Sequence, residues 1–489
     1  MEQRDSIVES RSFDHVPETE RHGTIRSQVQ FWFMVNATLI TLFTGAVGPA
    51  MGLGLTWTLL AVIVGSIFGT LFQAFHGAQG PHMGLPQMIQ SRVQFGSKGA
   101  VLPLAAVTIV QLGFAIFFIQ TASSSLAAIT VDQTAVFDIV IGASAVVLAI
   151  VGYSLLLRVE KVASYITLVN LVLLTVAAAA VLPIGALLGN SAFVPIAFLA
   201  QFGASAMYQI AIAPMVSDYT RYLPFRTSGR AVSAAVFGGT LLSAVWLEAL
   251  GAALALADPQ GADLISGIRD MGDRFGFGLG TVSMAVAVMS CLITCSLSFY
   301  SGSVSLLSAF EAFRPLKSTG AVRAIALAAA GIVVITATLS LPADFLPVFN
   351  AFLSILGYFL IPWTAVNLTD YYLVRRGVYS ITDIMKSDGG IYGRWGMPGM
   401  ISYAIGFIAM IPFLSSAIYT GPIATALGGA DISFVVGLAV ASGSYLLIMR
   451  GRDFSAEFEA VRAAPLNTLG HPQTSTPVPA EPMEGNIPA

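Results

Sequence analysis

Residues 30–53 read QFWFMVNATLITLFTGAVGPAMGL, an uncharged run of 24 residues. A helix rises about 1.5 Å per residue, so a run of this length crosses a hydrocarbon layer about 30 Å thick. The segment from Thr44 to Pro49 nevertheless contains two glycines and a proline, which weaken or break helices. The run therefore predicts a membrane-spanning helix that is interrupted along its length.

The composition of the whole chain agrees with a membrane location. Of 489 residues, 56% are hydrophobic and 10% are charged, whereas soluble proteins carry about 25% charged residues. The mean hydropathy is +0.79, and apolar residues in such excess must face lipid. The formal charge of −3 gives no basic excess, so no nucleic-acid partner is expected. An ordinary soluble enzyme is excluded.

Similar apolar runs recur along the chain and predict twelve membrane helices, named spans 1 to 12. Their limits are 30–53, 55–76, 100–128, 134–157, 161–187, 192–217, 231–257, 278–310, 321–341, 344–374, 398–420 and 428–449. Residues 1–29 form a polar tail without the features of a cleaved signal peptide. Residues 451–489 are polar and, after Ala464, rich in Pro, Ser, Thr and Gly, which predicts a disordered tail.

The basic residues predict how these spans are oriented. The termini and the loops after even-numbered spans hold 21 of the 23 Lys and Arg residues, and the other side holds Arg269 and Arg274. Loops rich in Lys and Arg stay in the cytoplasm. The sequence therefore predicts a multi-pass protein of the plasma membrane with both termini in the cytoplasm.

Two spans carry residues that interrupt a helix at membrane depth. Span 1 has the run from Thr44 to Pro49, and span 6 has small residues at 203–205 followed by Pro214. Unwound peptide groups can bind a ligand inside a membrane, and two breaks five spans apart fit two inverted copies of one unit. Gly and Pro are also common in ordinary membrane helices, so spacing alone leaves both explanations open.

One ionisable side chain, Glu248 in span 7, lies well inside a predicted span. Charged side chains at membrane depth are costly, and those that occur often serve ion or proton pathways. Glu248 could therefore carry a proton, or it could be a hydrogen-bonded structural acid.

Aromatic and amide side chains suit a flat, uncharged, polar ring, since aromatic faces stack and amides match the donors and acceptors of the ring. Candidates on spans 1, 3 and 6 are Asn36, Thr38, Phe114, Phe118, Tyr208 and Gln209. Phe114 and Phe118 are four residues apart, so both can line one wall. Each candidate taken singly is also compatible with ordinary helix packing.

Several segments have sequences specific enough to indicate a family. They are RHGTIRSQVQFWFMVN at 21–36, HGAQGPHMGLPQMIQSRVQFGSKG at 76–99, SDYTRYLP at 217–224, and NLTDYYLVRRGVYSITDI at 367–384 followed by GGIYGRWG at 389–396. These segments resemble nucleobase–cation symporter family 1, specifically its purine–cytosine permease branch. The similarity extends from about Pro17 to Tyr445.

The resemblance implies an all-α membrane protein of twelve helices, with a LeuT-type 5+5 inverted repeat plus two extra helices. Within a transporter domain of residues 30–450, the first repeat would be 30–187, the second 192–374, and the extra helices 398–449. Substrate would bind between broken spans 1 and 6 and spans 3 and 8. A nucleobase or related ring would move together with Na⁺ or H⁺ by alternating access.

Matched by position, the resemblance places the family's stacking aromatic residue on Phe114 and its polar span 3 residue on Phe118, which is apolar. The span 8 motif usually written Asn-x-Tyr-Ser corresponds to residues 298–301, where Ser298 replaces the amide. The branch often has Trp two residues before Pro214, and this chain has Ile212. These differences leave cytosine, purines, allantoin, a hydantoin, a thiamine-like ring and a nucleoside open as substrates.

The resemblance also bears on the coupling cation. Sodium-coupled members bind the ion through span 1 carbonyls, here Met34 and Ala37, and two span 8 hydroxyls. In a gap-free register, positions 292–293 are Leu and Ile, although Thr294 would supply a hydroxyl if the register slipped. Sodium is a hard cation that prefers oxygen ligands. The sequence therefore favours proton coupling through Glu248, with Na⁺ as the alternative.

Other functions stay open at this point. A Na⁺-coupled symporter of a nucleoside, hydantoin or vitamin-like ring is one, and a passive channel or facilitator is another. A channel would need polar stripes through several spans, which are not evident in the sequence. Cys291 and Cys295 have no histidine or acidic companion, so no metal site, cofactor or enzymatic activity is predicted.

Overall fold

The computed structural model describes residues 14–151, 153–189, 192–257, 264–314, 319–341, 345–416 and 419–463. The helices in these ranges are α1 (Ile25–Asn36), α2 (Leu39–Thr44), α3 (Val47–Ala50), α4 (Leu55–Gly77), α5 (Gln79–Met83), α6 (Gln87–Gln90), α7 (Arg92–Gly99), α8 (Val101–Ala127), α9 (Thr134–Val151), α10 (Tyr153–Val181), α11 (Ile184–Gly189), α12 (Pro195–Ile212), α13 (Val216–Thr220), α14 (Gly229–Ala257), α15 (Leu264–Phe275), α16 (Leu279–Glu311), α17 (Gly320–Ser340), α18 (Phe345–Thr369), α19 (Ile381–Ile384), α20 (Met397–Met410), α21 (Pro422–Ala426), α22 (Ser433–Met449) and α23 (Ser455–Ala463).

Nine helical stretches in the described ranges are long and apolar enough to cross a membrane. They are Leu55–Met83, Val101–Ala127, Thr134–Val151, Val159–Val181, Pro195–Thr220, Gly229–Ala257, Leu279–Glu311, Gly320–Ser340 and Pro347–Val374. Two shorter apolar helices, Met397–Phe413 and Ser433–Met449, follow them. The chain is thus an all-helical membrane protein, as the composition predicts.

The predicted limits of spans 2, 3, 7, 8 and 9 lie within two residues of α4, α8, α14, α16 and α17. The boundary between spans 4 and 5 is wrong. We predicted a loop near residues 158–160 from their charges, but α10 begins at Tyr153 and includes them. Glu160 is buried inside this helix. Tertiary packing, and not local charge, therefore decides where the helix starts.

The main break in span 1 lies earlier than predicted. The backbone leaves the helical region at Ala37 (φ −79°, ψ 56°) and Thr38 (φ −128°, ψ 160°), between α1 and α2. Within the predicted segment, Gly45 and Ala46 form only a turn with helical dihedral angles. A side chain at Gly45 would collide with the backbone of Glu248, so this glycine permits close packing on α14 and does not unwind the chain.

The break in span 6 is at the predicted proline but not at the predicted glycine. Residues 203–205 continue α12 without interruption, whereas Ala213–Met215 form a short 3₁₀ segment that separates α12 from α13. Pro214 has no N–H to donate, so the α-helical hydrogen-bond ladder cannot continue through it. The main interruptions of the two broken helices are therefore Ala37–Thr38, between α1 and α2, and Ala213–Met215, between α12 and α13.

Helix α4 packs between α12 and α14, and α8 packs along α16. Glycines allow the backbones to approach closely: Gly65 and Gly69 of α4 face α12, and Gly251 of α14 faces the carbonyl of Leu42. Small residues at such contacts bring membrane helices together without side chains in between. The bundle holds broken helix α1–α2 directly against α14.

The segments with most of the basic residues meet at one face of the bundle, which we call the basic face. Backbone hydrogen bonds join Val16 to Gly84, His22 to Tyr222 and Ser97 to Gly393. The C-terminal helix α23 joins this face through an ion pair between Glu457 and Arg375. Disorder from residue 451 onward is therefore contradicted for Ser455–Ala463, and residues 464–489 lie outside the described residues.

Candidate functional site

An aromatic cluster surrounds Phe114 of α8 next to the break in the first helix. The Phe114 ring centroid lies 5.7 Å from that of Tyr208 on α12 and 6.2 Å from that of Phe118. Two rings of α18 complete the cluster, Phe352 at 5.4 Å and Phe349 at 6.4 Å. Most of these contacts are edge-to-face, the arrangement that aromatic pairs favour.

Tyr208 connects the aromatic cluster to the broken helix. Its hydroxyl lies 2.8 Å from Thr41 Oγ1 in the first turn of α2. At the start of the same helix, the backbone of Leu39 is reached by the thiol of Cys291 on α16. The predicted candidate Thr38 is buried within the break itself. Helices α2, α8, α12, α16 and α18 therefore converge on unwound backbone, where peptide groups can bind a ligand.

Asn36 and Gln209, also predicted for the substrate site, bind each other. Asn36 Nδ2 donates to Gln209 Oε1 at 3.0 Å and to the carbonyl of Thr240 on α14 at 3.4 Å. We call these three residues the polar layer. Three of its side-chain atoms, Asn36 Oδ1, Gln209 Nε2 and Thr240 Oγ1, are buried without a hydrogen-bond partner. The predicted substrate residues thus separate into an aromatic group and an amide group.

Ser298 is buried on α16. It lies one turn beyond Cys295, whose thiol reaches the Ala115 carbonyl of α8 at 3.7 Å. Since Ala115 follows Phe114, the serine lies at the level of the aromatic cluster.

The residues predicted for cation coupling in α1 and α16 lie in apolar surroundings. The Met34 carbonyl accepts the N–H of Ala37 at 2.9 Å. Ile293 belongs to the same buried apolar cluster as Met34 and Ala37. The hydroxyl of Thr294 donates to the Ser290 carbonyl of its own helix at 3.0 Å. The Met34 carbonyl and the Thr294 hydroxyl thus each have a hydrogen-bond partner on or next to their own helix.

Glu248 is fully buried between α4, α12 and α14. Its carboxyl group accepts a hydrogen bond from Ser205 of α12 and a longer one from Ser66 of α4, at 3.5 Å. Gln201 supports Ser205 with a hydrogen bond of 3.1 Å and also binds the Thr44 carbonyl at 3.0 Å. Among the residues that the structure describes, no Lys, Arg or His forms an ion pair with Glu248. Its carboxyl group is held by neutral donors alone.

A hydrogen-bond network around His76 closes the bundle at the basic face. His76 Nε2 lies 2.8 Å from Thr364 Oγ1, and its Nδ1 lies 3.2 Å from Gln87 Nε2. Gln87 Oε1 accepts from Ser217 at 2.6 Å, and its backbone N–H donates to Asp218 at 2.9 Å. We call these five residues the His76 network. Sequence reasoning assigned no role to His76, whose partner Thr364 lies far away along the chain.

Asp370 forms the centre of a neighbouring cluster at the end of α18. It accepts hydrogen bonds from Gln94, Tyr379 and Tyr445, each at 2.8 Å, and pairs with Arg375 at 2.5 Å. All five side chains are buried. This Asp370 cluster connects α7, which carries Gln94, with the end of α18 and with α22.

Sequence reasoning missed several of these residues. Phe349 and Phe352 lie in a run whose apolar character gave no sign of a specific contact, and Ser66, Gln201 and Ser205 meet Glu248 only through packing of distant helices. Asp370, in contrast, lies within a quoted family-like segment, NLTDYYLVRRGVYSITDI. The available signal was an acid, Asp370, that lies five residues before a pair of arginines in that segment.

Two interrupted apolar helices, an aromatic cluster beside the first break and the buried carboxyl group of Glu248 are together typical of a polytopic membrane transporter. The family model described as permease for cytosine/purines, uracil, thiamine, allantoin matches residues 15–437. The chain belongs to this family, which consists of permeases and not enzymes.

Curated relatives and solved structures agree with this family. YxlA of Bacillus subtilis, assigned as a purine-cytosine permease, is 35% identical and covers 91% of this chain and 96% of its own. Purine-cytosine permease fcyB of Emericella nidulans is 26% identical, and the match covers 92% of this chain and 89% of the relative. The fold resembles that of Mhp1, a nucleobase-cation-symport-1 family transporter solved in a closed conformation with bromovinylhydantoin bound. The TM-score is 0.73 at 17% identity, and the superposition covers 91% of this chain and 96% of the Mhp1 chain.

Proposed function

We propose that this protein imports a nucleobase or related nitrogen heterocycle by cation symport, through alternating access. The observation that carries the proposal is the aromatic cluster around Phe114, which lies against unwound backbone between α1 and α2. Aromatic rings and peptide groups at a helix break together recognise a flat, uncharged heterocycle. The purine-cytosine permease assignments of the relatives support the same substrate class.

The proposed architecture has twelve membrane crossings. Helices α1–α10 form the first five-helix repeat and α12–α18 the second, while α20 and α22 are the extra pair. Support comes from the two breaks, at Ala37–Thr38 and Ala213–Met215, which occupy equivalent helices of the two repeats. The charge distribution supports a plasma-membrane protein whose basic face, with both termini, is cytoplasmic.

In the proposed site, Phe114 stacks on the substrate ring and Phe118 and Tyr208 line the same wall. Thr38 and Ser298 supply hydroxyl groups from the broken helix and from α16. Asn36 and Gln209 hold the broken helix against α12 through their mutual hydrogen bond. Transport then follows from rocking of the bundle that contains α1 and α12 against the helices that contain α8 and α16.

The proposed coupling ion is H⁺, carried by Glu248. The absence of a basic partner among the described residues supports this role, because a carboxyl group held only by Ser66 and Ser205 can be neutral or charged without breaking an ion pair. The place of Ile293 in the same buried apolar cluster as Met34 and Ala37 also argues against a Na⁺ site between α1 and α16. Sodium coupling is the alternative that experiment must exclude.

A thermal-shift screen tests the substrate class. Purified protein is titrated with cytosine, adenine, hypoxanthine, uracil, allantoin, a hydantoin and thiamine at several pH values, with and without Na⁺. A ligand that binds only the folded state raises the melting temperature. We expect a nucleobase to give the largest shift without requiring Na⁺. A shift with none of the heterocycles would contradict the proposal.

Replacing Phe114 tests the wall that we assign to the substrate. We expect Phe114→Ala to weaken binding of the best ligand by about 1–3 kcal/mol, roughly tenfold or more in Kd, through lost stacking. Phe114→Trp should retain binding because it keeps an aromatic face. Phe407→Ala on α20, which removes a ring stacked on Phe359, is the control. Unchanged affinity in Phe114→Ala would show that the ligand binds elsewhere.

A further inference from the structure

Buried polar side chains follow the faces of α4 and α12 that pack together. They are Ser66, Thr70 and Gln73 on α4 and Gln201, Ser205 and Gln209 on α12. Spacings of three and four residues place each set on one face of its helix. Burying such a row is costly unless the groups are hydrogen-bonded, so the row requires a structural or functional explanation.

This polar row extends from Glu248 to the basic face. At one end, Ser66 and Ser205 donate hydrogen bonds to the Glu248 carboxyl group. At the other end, α4 ends beside His76, which belongs to the His76 network. Ser66 and His76 are ten residues apart on one helix, or about 15 Å. The row therefore spans the part of the bundle between the Glu248 carboxyl group and the His76 network at the basic face.

The middle of the row contains buried polar atoms without partners. Thr70 Oγ1 and both amide atoms of Gln73 have no hydrogen-bond partner. Gly69, which lies between them and Ser66, faces Gln209, and Gln209 belongs to the polar layer, whose atoms are also incompletely satisfied. Buried polar groups of this kind hold internal water, which makes about three hydrogen bonds to its surroundings. The unpaired atoms of α4, α12 and α14 are therefore the atoms to which such waters would bind.

We propose that this row is a hydrated proton path between Glu248 and the His76 network, an inference that rests on proton coupling as proposed above. Glu248 transfers its proton to a water at Thr70, and waters at Gln73 and Gln209 pass a proton onward to the basic face. Each water accepts one proton and releases one, and the last proton passes through the His76 network to solvent at the basic face, so only Glu248 changes its charge. Its carboxylate is left bound by Ser66 and Ser205.

The titratable groups that border the path are few and have defined neighbours. Tyr208 of α12 lies near Glu248 and is bonded to Thr41. At the end of the path nearer the basic face, His76 contacts Thr364 and Gln87. Asp218 of α13 accepts a hydrogen bond from the backbone N–H of Gln87. The path therefore ends at groups whose hydrogen bonds join α4, α13 and α18, the helix ends that meet at the basic face.

Two measurements in proteoliposomes test the path with Thr70→Val and Gln73→Leu. One is uptake of labelled cytosine driven by a pH gradient, with proton entry followed by trapped pyranine. The other is cytosine exchange at equal pH, which needs no proton release. We expect gradient-driven uptake and proton entry to fall about tenfold, which is the size of the effect on a rate when one hydrogen-bonded link is lost. Exchange should stay near wild type.

Thr58→Val is the matched control, because Thr58 is also a buried threonine of α4 but its hydroxyl donates to Gly54 at 3.0 Å, on the side of Ser66 away from the basic face. It should leave both rates unchanged. Equal loss of uptake and exchange in Thr70→Val, or wild-type rates in both path variants, would overturn the path. If the wild-type protein takes up cytosine without proton entry, the proton coupling itself is contradicted, which separates that failure from failure of the path.

Discussion

Glu248→Gln should abolish accumulation of substrate against a gradient. The amide keeps the shape of the side chain and can still pair with Ser205 and Ser66, but it cannot bind and release a proton. Binding in a thermal-shift titration and exchange at equal internal and external concentrations should both remain. Proteoliposomes loaded with buffer at neutral pH and diluted into acidic, Na⁺-free medium provide the measurement of net accumulation.

Asp138→Asn is the control for this variant, since Asp138 is a buried acid on α9, away from the contacts of α4, α12 and α14 that enclose Glu248. It should accumulate substrate as the wild type does. Full accumulation by Glu248→Gln would contradict proton transfer at this residue. Loss of binding together with accumulation would instead show that Glu248 holds the site in shape.

Asp370→Ala should be the most destabilising of these substitutions. It removes the acceptor shared by Gln94, Tyr379 and Tyr445 and leaves the buried guanidinium of Arg375 with Glu457 as its remaining ion-pair partner. Removing one partner of a buried ion pair costs about 3–5 kcal/mol. We expect a large fall in the melting temperature of the purified protein, measured by the loss of its monodisperse size-exclusion peak after heating.

Asp273→Ala tests whether the large effect depends on burial, because Asp273 pairs with Arg269 and their side chains are 45% and 42% exposed. An exposed pair contributes about 0–1 kcal/mol, so this variant should melt close to wild type. Equal melting temperatures for Asp370→Ala and the wild type would mean that the Asp370 cluster does not hold α18 and α22 together.

Much of the fold follows from hydrophobic run length alone. Spans such as α4 and α16 are recognisable because lipid requires long apolar helices whatever their neighbours are. The boundary at Tyr153 was not recognisable, since Glu160 looks like a loop residue until the helices that bury it are known. The same limit applies to Gly45, which resembles a helix breaker in the sequence but serves close packing against Glu248 in the structure.

The site was partly predictable for a similar reason. Phe114, Tyr208 and Glu248 stand out because an aromatic pair or a lone acid is unusual in its local context. Phe349 and Phe352 belong to the same cluster, yet they lie more than two hundred residues from Phe114 along the chain. Nothing local in the sequence indicates their contact. Long-range pairs of this kind, like those of Ser66 and Ser205 with Glu248, become visible only once the helices are packed.

The most direct test of a proton-coupled nucleobase symporter is uptake of labelled cytosine into proteoliposomes under an imposed pH gradient without Na⁺. We predict accumulation above the external concentration that collapses when a protonophore is added. Accumulation driven by a Na⁺ gradient at equal pH, with no response to the pH gradient, would contradict the proposed mechanism.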